Sequence, residues 1–295
     1  MSAVTLDADY CRSLLPTRDP DGHKYTFGRV VCVAGSHDYL GAALLTVTGA
    51  ARGGAGVVTL AVPHWMWPVV AGRVPEVVTL ALWGDENGVD LEADRAFDDI
   101  AAKKPNALVV GPGLLQTDGY RSLLLTLLRT PGEPMVIDGG GLTLLASSPD
   151  WAVSIRRPCV LTPHAGEFAR LTGAEVPRVD DARLSRALKA AKDYGQTVVL
   201  KGPRTVVAAA DGRAAVAPFA NAALATAGSG DVLAGLIGAL LAQGVHPFDA
   251  ACLGVYLHGR AGERLSMRLG NAGVLASDIA QELPATRHEL DAHSA

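Results

Sequence analysis

Residues 225–235 read ATAGSGDVLAG: two glycines flank a serine, an aspartate follows directly, and an apolar run starts at once. Such a stretch puts permissive backbone and a carboxylate at the mouth of a helix whose first N–H groups have no internal partners. With the helix dipole, those donors favour an anion, and Gly228 and Gly230 let the backbone curl until they point at one spot. A bland alternative is that Ser229 or Asp231 merely caps the helix. The paired glycines and the small-residue helix behind them place the anion site ahead of it. A second stretch, VVLKGPRTVVA, ends a strand in Lys201–Gly202, where a lysine can reach a phosphate or simply sit solvated on a turn. A third, LTPHAGEFARL, sets Thr162, Pro163, His164, Gly166 and Glu167 just past a strand. Pro163 suits the first turn of a helix, and His164 either binds a ligand's phosphate or ribose or caps that helix.

These residues need a scaffold that brings strand ends together. The runs RVVCVAG, GVVTLAV, EVVTLAL, ALVVGPG, PMVIDGG and CVLTPH are short and apolar without alternation, most of them followed by a helical segment. That pattern predicts strands buried on both faces of a mostly parallel sheet covered by helices. Ligands bind at the carboxyl ends of such strands. Gly35–Ser36, Gly41–Ala42–Ala43, GPGL at 111–114 and Asp138 would then line the same edge as the three stretches above. GAALLTVTGAARGG reads as a small-residue helix stopped at Gly53–Gly54. Asp211–Gly212 between two β-like runs signals a hairpin, so an antiparallel addition is expected near 204–217. Trp65 and Trp67 read as core or interface packing, with no role in a site.

With 49% hydrophobic and 19% charged residues, the 295-residue chain has the composition of a globular protein. Its 26 basic and 30 acidic residues form no basic block, which argues against a nucleic-acid partner. Neither G-x-x-x-x-G-K-[ST] nor G-x-G-x-x-G occurs, so P-loop and Rossmann phosphate sites are both excluded. Cys11, Cys32, Cys159 and Cys252 are far apart and read as buried free thiols. The N-terminus has no signal-peptide pattern. The apolar run 232–242 is too short to cross a bilayer. A cytoplasmic protein is expected. Residues 1–24 read as a lead-in arm, 25–285 as one domain and 286–295 as a tail.

In order and spacing, the quoted stretches, together with NAALATAGSGDVLAGLIGALLAQG, resemble the ADP-dependent NAD(P)H-hydrate dehydratase family across residues 24–283. The resemblance implies a ribokinase-like three-layer α/β/α sandwich and a stand-alone dehydratase. The expected reaction repairs hydrated NADH or NADPH, with ADP as co-substrate, Mg²⁺ as metal, and AMP and phosphate as products. Carried over by position, Asp231 is the catalytic residue. Ala42, Gly113, His164 and Asp231 contact the hydrated dinucleotide. Lys201, Gly202, Pro203, Arg204 and Thr205, with Gly228, Ser229 and Gly230, hold the adenine nucleotide, and the metal ligands stay unassigned. Relatives suggest a homo-oligomer, a tetramer. Two departures stand out. Asp138-Gly139-Gly140-Gly141-Leu142 replaces the family's Asp-Ala-Asp-Ala-Leu, and Asn221-Ala222 replaces Asn-Pro. A ribokinase-like kinase for a vitamin precursor, and a non-catalytic adenine-nucleotide-binding regulator, are the rival readings.

Overall fold

Valine, leucine and isoleucine, which fit a pleated surface buried on both sides, supply most of the residues of ten strands in a single sheet. In the computed structural model, which describes residues 3–85, 90–176 and 180–292, the strands are β1 (Val4–Thr5), β2 (Arg29–Val33), β3 (Val57–Pro63), β4 (Val78–Leu82) and β5 (Ala107–Val110). They continue with β6 (Met135–Ile137), β7 (Cys159–Leu161), β8 (Thr197–Leu200), β9 (Val206–Ala208) and β10 (Ala214–Val216). The order across the sheet is β1-β10-β9-β8-β7-β6-β5-β2-β3-β4. From β4 to β8 every neighbouring pair is parallel, and β9 runs antiparallel to both β8 and β10. The Asp211–Gly212 turn closes the β9–β10 hairpin, with Gly212 at φ +92°.

Side chains alternate across the sheet, so each strand feeds two cores. Val30 and Cys32 of β2 join one, Val31 and Val33 the other. The first core is closed by helices Leu40–Arg52, Ser229–Ala242, Pro247–Leu269 and Ala276–Ala292. The second is closed by Ala93–Ala102, Asp118–Arg129, Gly140–Ala146, Ala165–Thr172 and Asp180–Tyr194. All four cysteines are buried and free. Among the described residues no helix is long and apolar enough to cross a membrane.

The small residues of Leu40–Arg52 and Ser229–Ala242 serve a close crossing. A Cβ on Gly235 would lie 1.9 Å from the Thr46 carbonyl oxygen, and one on Gly49 would lie 2.4 Å from that of Val232. The helices therefore touch backbone to backbone, and both begin at the carboxyl edge of the sheet. The stop of the first is shared: Gly53 stays right-handed at φ −72°, and Gly54 takes the left-handed turn at φ +96°. The segments 4–11 and 276–290 pack into the fold as well. β1 pairs with β10, Leu6 and Cys11 are fully buried, and the last helix buries Thr286 and Leu290. Trp65 packs partly buried against the first core, whereas Trp67 lies outside the core, which leaves the interface alternative for it. Its ring is half exposed, and its Nε1 donates to Thr79 Oγ1 at 2.6 Å.

Candidate active site

Gly228 is the N-cap of Ser229–Ala242, at φ +86°, and no side chain caps that helix. The capping role weighed for Ser229 and Asp231 is therefore not what the structure shows. Ser229 Oγ lies 3.0 Å from Nε2 of His258, which is also 3.0 Å from the Ser229 carbonyl oxygen. Burial pushes the His258 imidazole down to about 4, so it is neutral at physiological pH and clamps the first residue of the helix. Asp231 is left facing the strand ends.

Those ends bring a second charged group within reach. Lys201 follows β8, and its Nζ lies 2.6 Å from Asp138 Oδ1 and 3.9 Å from Glu167 Oε2. Thr162 Oγ1 donates to the same Asp138 oxygen at 2.7 Å. A Cβ on Gly230 would sit 3.1 Å from Lys201 Nζ and 3.9 Å from Asp138 Oδ2, so the loop lies close over this pair and a side chain there would crowd the ammonium. Burial raises Asp231 to about 7; repulsion from Asp138 and Glu167 adds to it, and Lys201 opposes it. Burial likewise raises Glu167. For Lys201 burial disfavours the ammonium, but Asp138 and Glu167 more than offset it and hold its pKa above the ordinary value. The result is a carboxylate poised near neutrality, beside a fixed cation, at a helix N-terminus.

The other predicted residues distribute around this centre. Ala42 and Gly113 meet: Gly113 adopts φ +69°, and a Cβ there would lie 2.9 Å from that of Ala42. His164 caps Ala165–Thr172, its Nδ1 accepting from Gly166 N at 3.0 Å and Glu167 N at 3.3 Å. Glu167 returns the contact by accepting from His164 N at 2.8 Å, a capping box. Pro163 thus precedes the cap instead of entering the first turn. Nε2 of His164 lies 3.5 Å from Glu167 Oε1, and the exposed part of the ring is what remains for a ligand. Gly202 to Thr205 form the rim. Thr205 Oγ1 donates to the Gly202 carbonyl at 2.9 Å, Arg204 N to that of Phe219 at 2.8 Å, and Pro203 is exposed.

The glycine run after β6 also has a cause. Gly139 has φ +54°, and a Cβ at 140 would lie 2.3 Å from the Leu114 carbonyl oxygen. An acidic side chain at 140 has no room under the 111–114 turn, so Asp138 acts alone. Asp138, Thr162 and Glu167 stood in the loops singled out from the sequence, but their convergence on Lys201 was not expected. His258 gave no local signal; it lies inside a long helix. Among the described residues no group of three or more histidine, cysteine, aspartate or glutamate side chains could hold a metal. The two buried carboxylates nearest Asp231 already pair with Lys201. Such a site suits Mg²⁺ only as a partner of substrate phosphates, its usual mode.

A three-layer sandwich on a mostly parallel sheet, with a glycine–aspartate helix start at its carboxyl edge, defines the ribokinase-like class. Within it, the chain belongs to the NAD(P)H-hydrate dehydratase family, whose profile matches residues 30–285. It is 37% identical over 269 residues to the ADP-dependent (S)-NAD(P)H-hydrate dehydratase of Xanthomonas campestris pv. campestris, covering 91% of each chain. It is 39% identical over 288 residues to the bifunctional NAD(P)H-hydrate repair enzyme Nnr of Moorella thermoacetica, covering 97% of this chain. The match takes in 54% of that relative, so this chain spans about half the length of the bifunctional protein. The crystal structure of the ADP/ATP-dependent NAD(P)H-hydrate dehydratase from Bacillus subtilis, co-crystallised with ATP/Mg²⁺, superposes with a TM-score of 0.84 at 31% identity. That superposition covers 98% of this chain and 99% of the other.

Proposed function

We propose that this chain dehydrates the S epimer of hydrated NADH or NADPH, using ADP and releasing NAD(P)H, AMP and phosphate. The observation that carries the reading is Asp231: a carboxylate raised to about 7, with a helix N-terminus at its back and Lys201 beside it. A general base works best when its pKa lies near the operating pH. Hydroxide leaves the hydrated ring poorly, whereas phosphate leaves well. In the proposed sequence the ring hydroxyl attacks the terminal phosphorus of ADP while Asp231 takes its proton. The bond from that phosphorus to the bridging oxygen breaks, and AMP departs. N–H groups at 228–230 and the Lys201 ammonium stabilise the equatorial oxygens. The ring nitrogen's lone pair then expels phosphate, and loss of the adjacent ring proton restores the dihydropyridine.

Mg²⁺, entering with the nucleotide, would neutralise phosphate charge, with Asp138 and Glu167 the nearest carboxylates to share it. The rim 202–205 is the proposed nucleotide contact. The Ala42–Gly113 contact and the exposed part of the His164 ring are the proposed dinucleotide contacts. Exposed Trp67, Val69 and Val78, beside the open edge at β4, support assembly into a homo-oligomer, with a tetramer the expectation for light scattering. A cytoplasmic location is part of the same proposal.

The test is turnover of hydrated NADH with ADP and with ATP in parallel, both with Mg²⁺. The expected result is return of reduced-nicotinamide absorbance with one AMP and one phosphate per turnover in the ADP reaction. No recovery with either nucleotide, in protein that still binds ADP, would overturn the reading in favour of a small-molecule kinase or a regulator.

A further inference from the structure

At the opposite edge of the sheet, a cavity of about 390 Å³ lies between the end of helix Leu40–Arg52 and the helix Ala276–Ala292. Arg18, Arg52, Arg287 and His288 line it, against the single carboxylate of Asp291. Two of the guanidinium groups converge on one point: a Cβ on Gly54 would lie 2.7 Å from Arg18 Nη1 and 3.0 Å from Arg287 Nη1. Their partners are neutral. Arg18 Nη1 donates to the Gly54 carbonyl at 2.8 Å, and its guanidinium lies 4.0 Å from the Phe27 ring centroid. Arg287 donates to the carbonyls of Gly53 (3.3 Å) and Pro16 (3.0 Å) and to Gln243 Oε1 (3.3 Å). Among the described residues neither guanidinium has a carboxylate within ion-pair distance. Burial, and then the charge of Arg18, both work against the charge on Arg287.

Helix capping explains only part of this arrangement. Helices Leu40–Arg52, Ser229–Ala242 and Ala276–Ala292 all end near here, and their C-termini together supply roughly one and a half negative charges. Three arginines against that charge and Asp291 leave about half a positive charge uncompensated. Like charges held side by side on neutral acceptors, around an open cavity, are what a bidentate anion site requires. We propose that this cavity binds a small phosphate-type dianion, free or carried as a phosphate monoester. The volume admits either. Arg18 and Arg287 grip the oxyanion, and Arg52 and His288 close over it from the solvent side. This site is at the far end of the two helices whose starts carry Ala42 and Asp231, so it is separate from the phosphate chemistry proposed there and does not depend on it.

Hydrogen–deuterium exchange on the full chain tests the proposal, with inorganic phosphate and glycerol 3-phosphate titrated separately against sodium chloride at equal ionic strength. The expected result is saturable slowing in peptides covering 52–56 and 284–291. The anion with the lower midpoint identifies the source. Arg287 ties three segments together, so the test variants are Arg18→Gln and Arg52→Gln, both exposed. Arg18→Gln should raise the midpoint at least tenfold while thermal unfolding and turnover stay at wild-type values. Arg52→Gln should raise it by a smaller factor. Three results overturn the proposal: no slowing beyond the chloride control, slowing confined to residues 201–205 and 228–231, or an unchanged midpoint in Arg18→Gln.

Discussion

Asp231→Asn should make the protein more stable while removing its turnover. Folding raises the Asp231 pKa from 3.8 to about 7, chiefly by burial and then by the neighbouring Asp138. A carboxyl raised on folding binds extra protons in the native state, so stability falls as pH rises through the window between those two values. The penalty is absent below the unfolded pKa, about 2 kcal/mol at pH 5, and about 4 kcal/mol at pH 8, where it is complete. Asparagine keeps the shape and drops the charge. Urea unfolding of both proteins at pH 5 and pH 8 should therefore show a gap favouring the variant that widens with pH, worth roughly 8 °C in melting temperature at pH 8. Dehydration by the variant should fall roughly 10²- to 10⁴-fold, the usual loss for a general base. The wild-type kcat/KM should decline with unit slope below pH ~7. A variant no more stable than wild type at pH 8, or a gap that does not change with pH, would refute the account of Asp231 as a carboxylate strained by its surroundings.

His258 carries the opposite sign. Its folded pKa of about 4 lies below the ordinary 6.5, so wild type should lose roughly 3 kcal/mol as pH falls through that window. His258→Gln should lack this loss, read from urea midpoints at pH 7 and pH 4. Lys201→Met leaves Asp138 and Glu167 buried without their cation, which should cost about 3–5 kcal/mol at pH 8 and less at pH 5 as carboxylates protonate. Calorimetry at the two pH values checks it. Gly235→Ala pushes a methyl against the Thr46 carbonyl, where backbone cannot give way cheaply. It should cost at least about 1–3 kcal/mol by chemical unfolding and also displace Asp231, so turnover falls with stability.

The sheet was legible because its information is local. Each strand from β2 to β8 is a short apolar run with a glycine or proline turn at or just past its exit, and the Asp211–Gly212 pair marked the hairpin that reverses direction. β1, two residues long with no such turn, lies within the stretch that reads as a lead-in arm. The start of the helix Ser229–Ala242 was legible for the same reason: Gly228, at φ +86°, announces a left-handed turn that favours glycine. What local pattern cannot carry is partnership between distant residues. Nothing near Lys201 says that its ammonium turns inward onto Asp138, 63 residues earlier, since a lysine after a strand is as often solvated. Nothing near His258 says that it clamps Ser229 across two helices. The glycine run at 139–141 looked like the loss of an acidic group, yet its cause is contact with the 111–114 turn, visible only once both loops are in place. These non-local pairings are also the ones that set charge. Asp231 is unremarkable as an aspartate at a helix start, and becomes a base near neutrality only because folding buries it and puts Asp138 and Glu167 nearby. The sequence therefore marks the candidate site, while the raised pKa on which the proposed chemistry rests is a property of the assembled strand ends.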